Sequence, residues 1–429
     1  MSGTPQSAAP TPWRDGWRNG LSYGALGLPL AFVALPLYVI LPAHYAANFG
    51  MPLAWLGALL LAARLLDAFV DPWIGRRCDE WFARSTHTVL LIAVLAALVL
   101  SVSFVALFFP PMRDLGGLLW WCGATLAVSY LSYSVLSIVH QAWGARLGGD
   151  VGQRARIVSW REGLSLVGVL LASVLSSTLG LGVTSAVLAV SLALGLAALW
   201  RAPRASAGAL PTHTSGTRLA LANPAFRRLL SVYLVNGIAS AIPATLVLFF
   251  IRDRLQAPAY EALFLGSYFL AAALSMPLWM RAVARFGLAR SWLGGMLLAI
   301  AAFVWAAFLG AGDIAAFAAV CVASGIALGA DLSLPGALLA GVIRRAGHGG
   351  QAEGRYFGWW NFATKLNLAL AAGISLPLLG LFGYAPGSQD AAALTALTLA
   401  YCALPCLLKL IAAAMLYVRW LRSPEGSVE

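Results

Sequence analysis

The residues whose types and spacing could do chemistry gather in one stretch, Arg64-Leu65-Leu66-Asp67-Ala68-Phe69-Val70-Asp71-Pro72. On a helix, Asp67 and Asp71 share a face, and Arg64 precedes Asp67 by three positions on that face. The stretch sits in an apolar run, where an ionisable side chain at membrane depth costs roughly 2.5–3.5 kcal/mol on insertion scales. Two carboxylates beside a guanidinium make a cation site with a built-in counter-charge. The plainer alternative is a helix end just inside the water interface.

Other apolar runs carry polar residues that could face a common cavity. They are Tyr23; Tyr130, Tyr133, Ser134, Ser137 and His140; Arg161 and Glu162; Tyr233, Asn236 and Tyr268; Asp331; and Trp359, Trp360, Asn361, Thr364 and Lys365. Lys365 and Lys409 are the lysines of the chain. A buried lysine needs a carboxylate partner, and Asp67 or Asp71 is the candidate for Lys365, with Asp331 the alternative. Lys409 reads as nearer a membrane face, where it could snorkel. A histidine alone at depth, as His140 is, more often packs or hydrogen-bonds than binds a ligand. Cys402 and Cys406 share a helix face, but no histidine lies near them, so no metal site is expected. No nucleophile pairs with a base at useful spacing, so no enzyme is expected.

The elements that must position these residues are membrane helices. The chain is 61% hydrophobic and 10% charged with a mean hydropathy of +0.82, whereas soluble domains hold about 25% charged residues. Runs of about 20 apolar residues number twelve, giving an all-α integral membrane protein. The net charge of +12 reflects arginines in loops rather than nucleic-acid binding. With the N-terminus inside, the cytoplasmic segments hold Arg76, Arg77, Arg84, Arg146, Arg154, Arg156, Arg201, Arg204, Arg281, Arg285, Arg344 and Arg345 among others. The outer segments hold Arg113, Arg252 and Arg254. Both termini are therefore expected in the cytoplasm. The polar stretch around Pro211-Thr-His-Thr-Ser-Gly-Thr reads as a linker. The expected organisation is a tail at 1–19, a six-helix bundle at 20–200, a linker at 201–225, a second bundle at 226–418 and a tail at 419–429. The first nineteen residues show no cleavable signal.

Four stretches carry a resemblance. Arg64-x-x-Asp67-Ala-x-x-Asp71-Pro72, followed by Gly75 and Asp79, resembles the second-helix signature of the glycoside-pentoside-hexuronide:cation symporters. These are the melibiose-permease-like branch of the major facilitator superfamily. Arg154-x-Arg156 with Arg161, Asp331-Leu-Ser-Leu-Pro335, and Gly354-Arg355-Tyr356-Phe357 through Lys365 resemble the patterns of that family's fifth, tenth and eleventh helices.

The resemblance implies a secondary active symporter working by alternating access between two six-helix bundles. Asp67 and Asp71, with Ser134 and Ser137, would bind the coupling cation, and Arg64, Lys365, Asp331 and Arg161 would form its charge network. The solute would contact Tyr23, Tyr130, Tyr133, His140, Asn236, Tyr268, Trp359, Asn361 and Thr364. The family-level substrate is a sugar or glycoside; the coupling ion is a proton or sodium, with no other cofactor. A monomer in the lipid bilayer of the cell (inner) membrane, without nucleic acid, is expected.

The departures from the family pattern are informative. Leu28-Pro29-Leu30 replaces a first-helix carboxylate, Ser137 stands near the place of another, and Val70 fills a position that is polar in sodium-using relatives. Sodium wants several oxygens, so a bare carboxylate pair is better suited to a proton. One charge crossing about 100 mV is worth roughly 2.3 kcal/mol, enough for about 50-fold accumulation. Two competing readings are a transporter of a lysolipid-like or other amphipathic solute, and a non-transporting membrane scaffold or sensor. The charges inside both halves argue against a scaffold.

Overall fold

The computed structural model describes residues 16–205, 216–384 and 387–422. The outer parts of both expected tails and the middle of the expected linker lie outside the described residues.

The first helical unit, α1, runs over residues 17–49 in pieces: Trp17–Gly24, Gly27–Leu35, a π-helical Pro36–Ile40 and Leu41–Phe49. Pro36 has no amide hydrogen to give, and the ladder shifts to π spacing where it stands. Then follow α2 (Leu53–Arg84), α3 (Thr86–Phe108), α4 (Leu115–Arg146), α5 (Val151–Thr178) and α6 (Gly180–Arg201). The second half holds α7 (Pro224–Phe249), α8 (Glu261–Phe286), α9 (Leu288–Ala306), α10 (Ile314–Arg345) and α11 (Glu353–Leu381). It ends with α12, which joins Ala391–Thr398 to Leu404–Leu416 through a π turn.

Short polar side chains set the helix starts. Asp114 accepts the Gly117 amide at 2.7 Å at the head of α4, and Asp150 with Gln153 forms a capping box on α5. Asn223 accepts the Ala225 amide at 2.9 Å at the head of α7. Ten helices among the described residues, α3 to α12, are long and apolar enough to cross a membrane. The other two expected spans are present as helix, α1 broken into pieces and α2 continuous, with Arg64, Asp67 and Asp71 breaking its apolar run.

Lipid offers little hydrophobic drive between helices, so close packing must hold the bundle. Glycine supplies it on α1. A Cβ at Gly24 would lie 2.7 Å from the Trp160 carbonyl oxygen, and one at Gly27 would lie 2.7 Å from that of Arg161. α5 thus packs directly on the backbone of α1, which brings Arg161 to the molecule's centre. The two halves meet where α2 packs on α11 and where α5 packs on α8 and α10.

Candidate functional site

Asp67 and Asp71 face α11 and are 2% and 0% exposed. Lys365, from the opposite half, places Nζ 2.7 Å from Asp67 Oδ2 and 2.7 Å from Asp71 Oδ2. It also donates to Ser134 Oγ at 2.8 Å, and Ser134 donates to Asp67 Oδ1 at 2.7 Å. The one-turn spacing on α2 makes this possible, because a single ammonium can reach both carboxylates. Asp71 Oδ1 has no hydrogen-bond partner among the described residues. Helix α11 can approach this closely because of paired glycines. A Cβ at Gly75 would sit 2.1 Å from the Gly354 carbonyl oxygen, and one at Gly358 would sit 2.6 Å from that of Asp71.

Beside this cluster, between the halves, lies a cavity of about 270 Å³. Tyr133, Ser137, His140, Gln141, Arg161 and Glu162 line it from the first half; Tyr233, Asp331, Trp360, Asn361 and Thr364 line it from the second. Arg161 is neutralised by its neighbour, with Nη2 2.5 Å from Glu162 Oε1. Gln141 Nε2 donates to Ser137 Oγ at 2.8 Å and to Asn361 Oδ1 at 3.0 Å, linking the halves through neutral groups. Tyr233 stacks on Trp360 with ring centroids 3.8 Å apart and shares a 2.7 Å hydrogen bond with Thr364. Stacked aromatics, a neutralised guanidinium and convergent amides suit a small polar ring with hydroxyl groups.

Several expected positions are placed elsewhere. Ser137 does not touch the carboxylate pair; its hydroxyl serves Gln141 and Asn361. Arg64 is exposed and lies beside the Tyr130 hydroxyl, away from the cavity lining. Tyr23 is behind the lining, giving its hydroxyl to the His140 carbonyl oxygen at 3.1 Å. Trp359 turns from the cavity and donates Nε1 to the Thr217 carbonyl oxygen at 2.8 Å, tying the linker to α11. Its neighbour Trp360 takes the cavity position, about 100° further round the helix.

The alternative partner for Lys365 is also excluded. Asp331 pairs with Lys409, whose Nζ lies 2.8 Å from Asp331 Oδ2 and 2.9 Å from Asn236 Oδ1. Lys409 does not snorkel: it is 2% exposed. Asn236, Ser240 and Trp292 complete the shell, donating to Asp331 at 3.0, 3.1 and 2.9 Å. Asn236 therefore serves this pair, not the cavity. Tyr268 lines a separate pocket of about 130 Å³ inside the second half, which Asp331 also borders.

Beyond the cavity, toward the end of α4 and the start of α11, a buried charge cluster that the sequence reading missed ties the two halves together. Arg146, at the end of α4, lies 3.0 Å from Asp79 and 3.1 Å from Glu353. Asp79 also accepts the Gly354 amide at 2.7 Å and the Arg355 amide at 3.0 Å, at the positive N-terminus of α11. Arg146 adds a bond to the Gly350 carbonyl oxygen at 2.6 Å. In the sequence Arg146 looked like one more loop arginine; the usable signal was Asp79 one turn beyond Gly75, opposite an acidic helix start at Glu353.

Two helical bundles enclose a central cavity, and known proteins share this arrangement. The sequence profile of the family described as MFS/sugar transport protein matches residues 22–421. The chain belongs to that family. Its helices have the major facilitator fold.

The inner membrane symporter YicJ of Escherichia coli K12 is 30% identical over 157 residues, 36% of this chain and 33% of that protein. The putative glycoside/cation symporter YagG of the same organism is 25% identical over 154 residues, again 36% and 33%. The matched region thus spans about a third of those relatives. A solved bacterial homologue of the iron transporter ferroportin, in an outward-facing state, superposes with a TM-score of 0.68 at 18% identity. That superposition covers 94% of this chain and 98% of the other, and shows a shared fold.

Proposed function

We propose that this protein is a cation-coupled symporter that carries a sugar or glycoside together with a proton across the inner membrane. The observation that carries the reading is Lys365 seated on Asp67 and Asp71 beside the central cavity. Family membership and the names of the relatives YicJ and YagG support a glycoside and a cation. They do not favour an amphipathic solute, and a cavity of about 270 Å³, just below the roughly 300–1,000 Å³ of drug-sized ligand pockets, suits one sugar ring.

Lysine is the resident counter-ion in this mechanism. One ammonium against two carboxylates leaves one unbalanced negative charge. A cation entering from the cavity competes with Lys365 for the carboxylate oxygens, and the equilibrium between transporter states moves by the difference in its affinity for them. Ser134 is the neutral oxygen donor at the pair, and Val70 and Ser137 add none there. Sodium would lack its cage, whereas a proton needs a single carboxylate oxygen. The loop arginines favour an orientation with both termini and the Arg146–Asp79–Glu353 cluster on the cytoplasmic side. This conformation then has its inner gate shut. We keep a monomer as the working unit.

The test is thermal stability of the purified protein against sugars, glycosides and lysolipids, followed by uptake of the stabilising solute into proteoliposomes. Uptake that follows an inward proton gradient without sodium is expected. Strict sodium dependence would overturn proton coupling, and stabilisation by lysolipids alone would overturn the sugar.

A further inference from the structure

The pocket inside the second half is not independent of the central cavity. Asp331 borders both, and 11% of its side chain is exposed. The helix faces that line one space also continue into the other. On α7, Tyr233 faces the cavity while Ser240, Ala244 and Val247 face the pocket, at positions spaced to share one face. On α10, Gly336 and Leu332 line the cavity and Leu328, one turn on, lines the pocket. The pocket therefore extends the cavity along α7, away from the helix start where Asn223 bonds Tyr356. Its far wall is aromatic and rigidly packed. Tyr401 stacks on Phe250 with centroids 4.3 Å apart, Phe303 meets Tyr401 edge-on at 5.6 Å, and Phe264 meets Phe317 edge-on at 4.9 Å. Nearer the cavity, Leu265, Phe269 and Leu328 are only half-buried, so a group entering the pocket can touch them. The polar groups around Asp331 are already spent. Lys409 donates to Asp331 and Asn236, Ser240 donates to Asp331, and Ser324 gives its hydroxyl to the Val320 carbonyl oxygen at 2.7 Å.

We propose that this pocket is a subsite for an aromatic aglycone, so that the solute is an aryl glycoside rather than a free sugar; the proposal rests on the sugar reading above. The sugar ring lies in the central cavity, and its aglycone passes Asp331 into the second half. Size and chemistry select this occupant. The pocket holds about 130 Å³, close to the roughly 150 Å³ of apolar cavity that takes up a benzene ring. A second sugar ring would bring hydroxyls into a space whose polar groups already serve one another, and each buried hydroxyl without a partner is costly. An aromatic ring brings none, and it packs edge or face against Phe264, Phe303 and Tyr401. Room for a single ring also excludes a long acyl chain. Asp331, held at the junction by four donors, then forms a fixed wall between the polar and apolar parts of the site.

Paired ligands that differ only in the aglycone test this. The probes are the phenyl and methyl glycosides of glucose, galactose and xylose, measured by binding to the full chain in lipid nanodiscs free of glycoside detergent. For the sugar that binds most tightly, the phenyl glycoside is expected to bind native protein about tenfold more tightly than the methyl glycoside. Ala244 is exposed at the pocket's rim, so Ala244→Phe places a ring in the space without disturbing buried packing. That variant should lose the preference for phenyl while its affinity for the methyl glycoside stays within about threefold of native. The ratio is taken within one preparation, so a smaller folded fraction does not alter it. Equal binding of phenyl and methyl glycosides by native protein, or an undiminished preference in A244F, would overturn the aglycone subsite and leave the sugar reading standing. If no glycoside of either kind binds native protein, the sugar reading fails and the proposal falls with it.

Discussion

Lys365 Nζ lies 2.7 Å from Asp71 Oδ2, although the two residues belong to opposite halves of the bundle. The contact makes the carboxylate pair a property of both halves. Removing one partner of a buried ion pair strands the other charge, at a cost of about 3–5 kcal/mol. Lys365→Gln should therefore lower thermal stability strongly. Adding Asp71→Asn to it should restore part of the loss, because one of the two stranded carboxylates is then neutral and the cluster returns to its native net charge. Melting of the two single variants and the double variant checks this; additive losses would mean that the residues do not act as a pair.

The pair Arg146–Glu353 should hold the inner gate shut. Glu353→Gln leaves Arg146 with Asp79 but removes a buried charge from the second half. We expect a shift of about 3 kcal/mol toward opening at that end. Labelling of a cysteine introduced at Ser137 by a reagent supplied from the α4 end should then rise. Unchanged labelling would show that helix packing alone keeps the end closed.

Trp359 offers a clean contrast with its neighbour. Trp359→Phe removes the bond to the Thr217 carbonyl oxygen, worth about 0.5–1.5 kcal/mol, at a side chain that does not line the cavity. It should lower stability slightly and leave KM unchanged. Trp360→Ala removes the surface stacked on Tyr233 and should raise KM. Transport kinetics of the two variants, measured side by side, decide the assignment.

His348, in the loop between α10 and α11, gives the inner gate a pH dependence. Burial pushes its pKa below the ordinary value near 6.5, and the positive charge of Arg355 adds to the effect. Its Nδ1 accepts the Tyr356 hydroxyl at 2.8 Å, and Tyr356 in turn accepts Asn223 Nδ2 at 3.0 Å. An unfolded or opened chain takes up the proton first as pH falls below about 6.5, so stability declines with acidification in that window. His348→Asn should flatten the decline. A melting curve measured from about pH 8 to pH 5 that keeps its slope in the variant would remove His348 as the cause.

Much of this architecture was legible because lipid imposes simple rules. Apolar runs of spanning length gave the helices, and loop arginines gave the orientation now proposed. Lys365 was readable as a partner of Asp67 or Asp71 because a membrane lysine must find a carboxylate, and the chain has few candidates. The rest turned on facts that spacing does not encode. Lys409 looked free to snorkel because its place in the last apolar run reads as nearer a membrane face; Asp331, its partner, is brought in by the packing of α9 and α10 against α12 and α7. Trp359 and Trp360 are neighbours, and the helix's rotation alone sends one to the linker and the other to the cavity. Ser137 was assigned by motif position, but Gln141, one turn on, claims its hydroxyl first.

The central claim is that Asp71 couples solute movement to a cation through Lys365. Its most direct test is concentrative uptake against counterflow exchange in proteoliposomes loaded with Asp71→Asn. The account predicts that uptake driven by a proton gradient disappears while exchange of internal for external solute persists. Concentrative uptake by Asp71→Asn at the native level would contradict it.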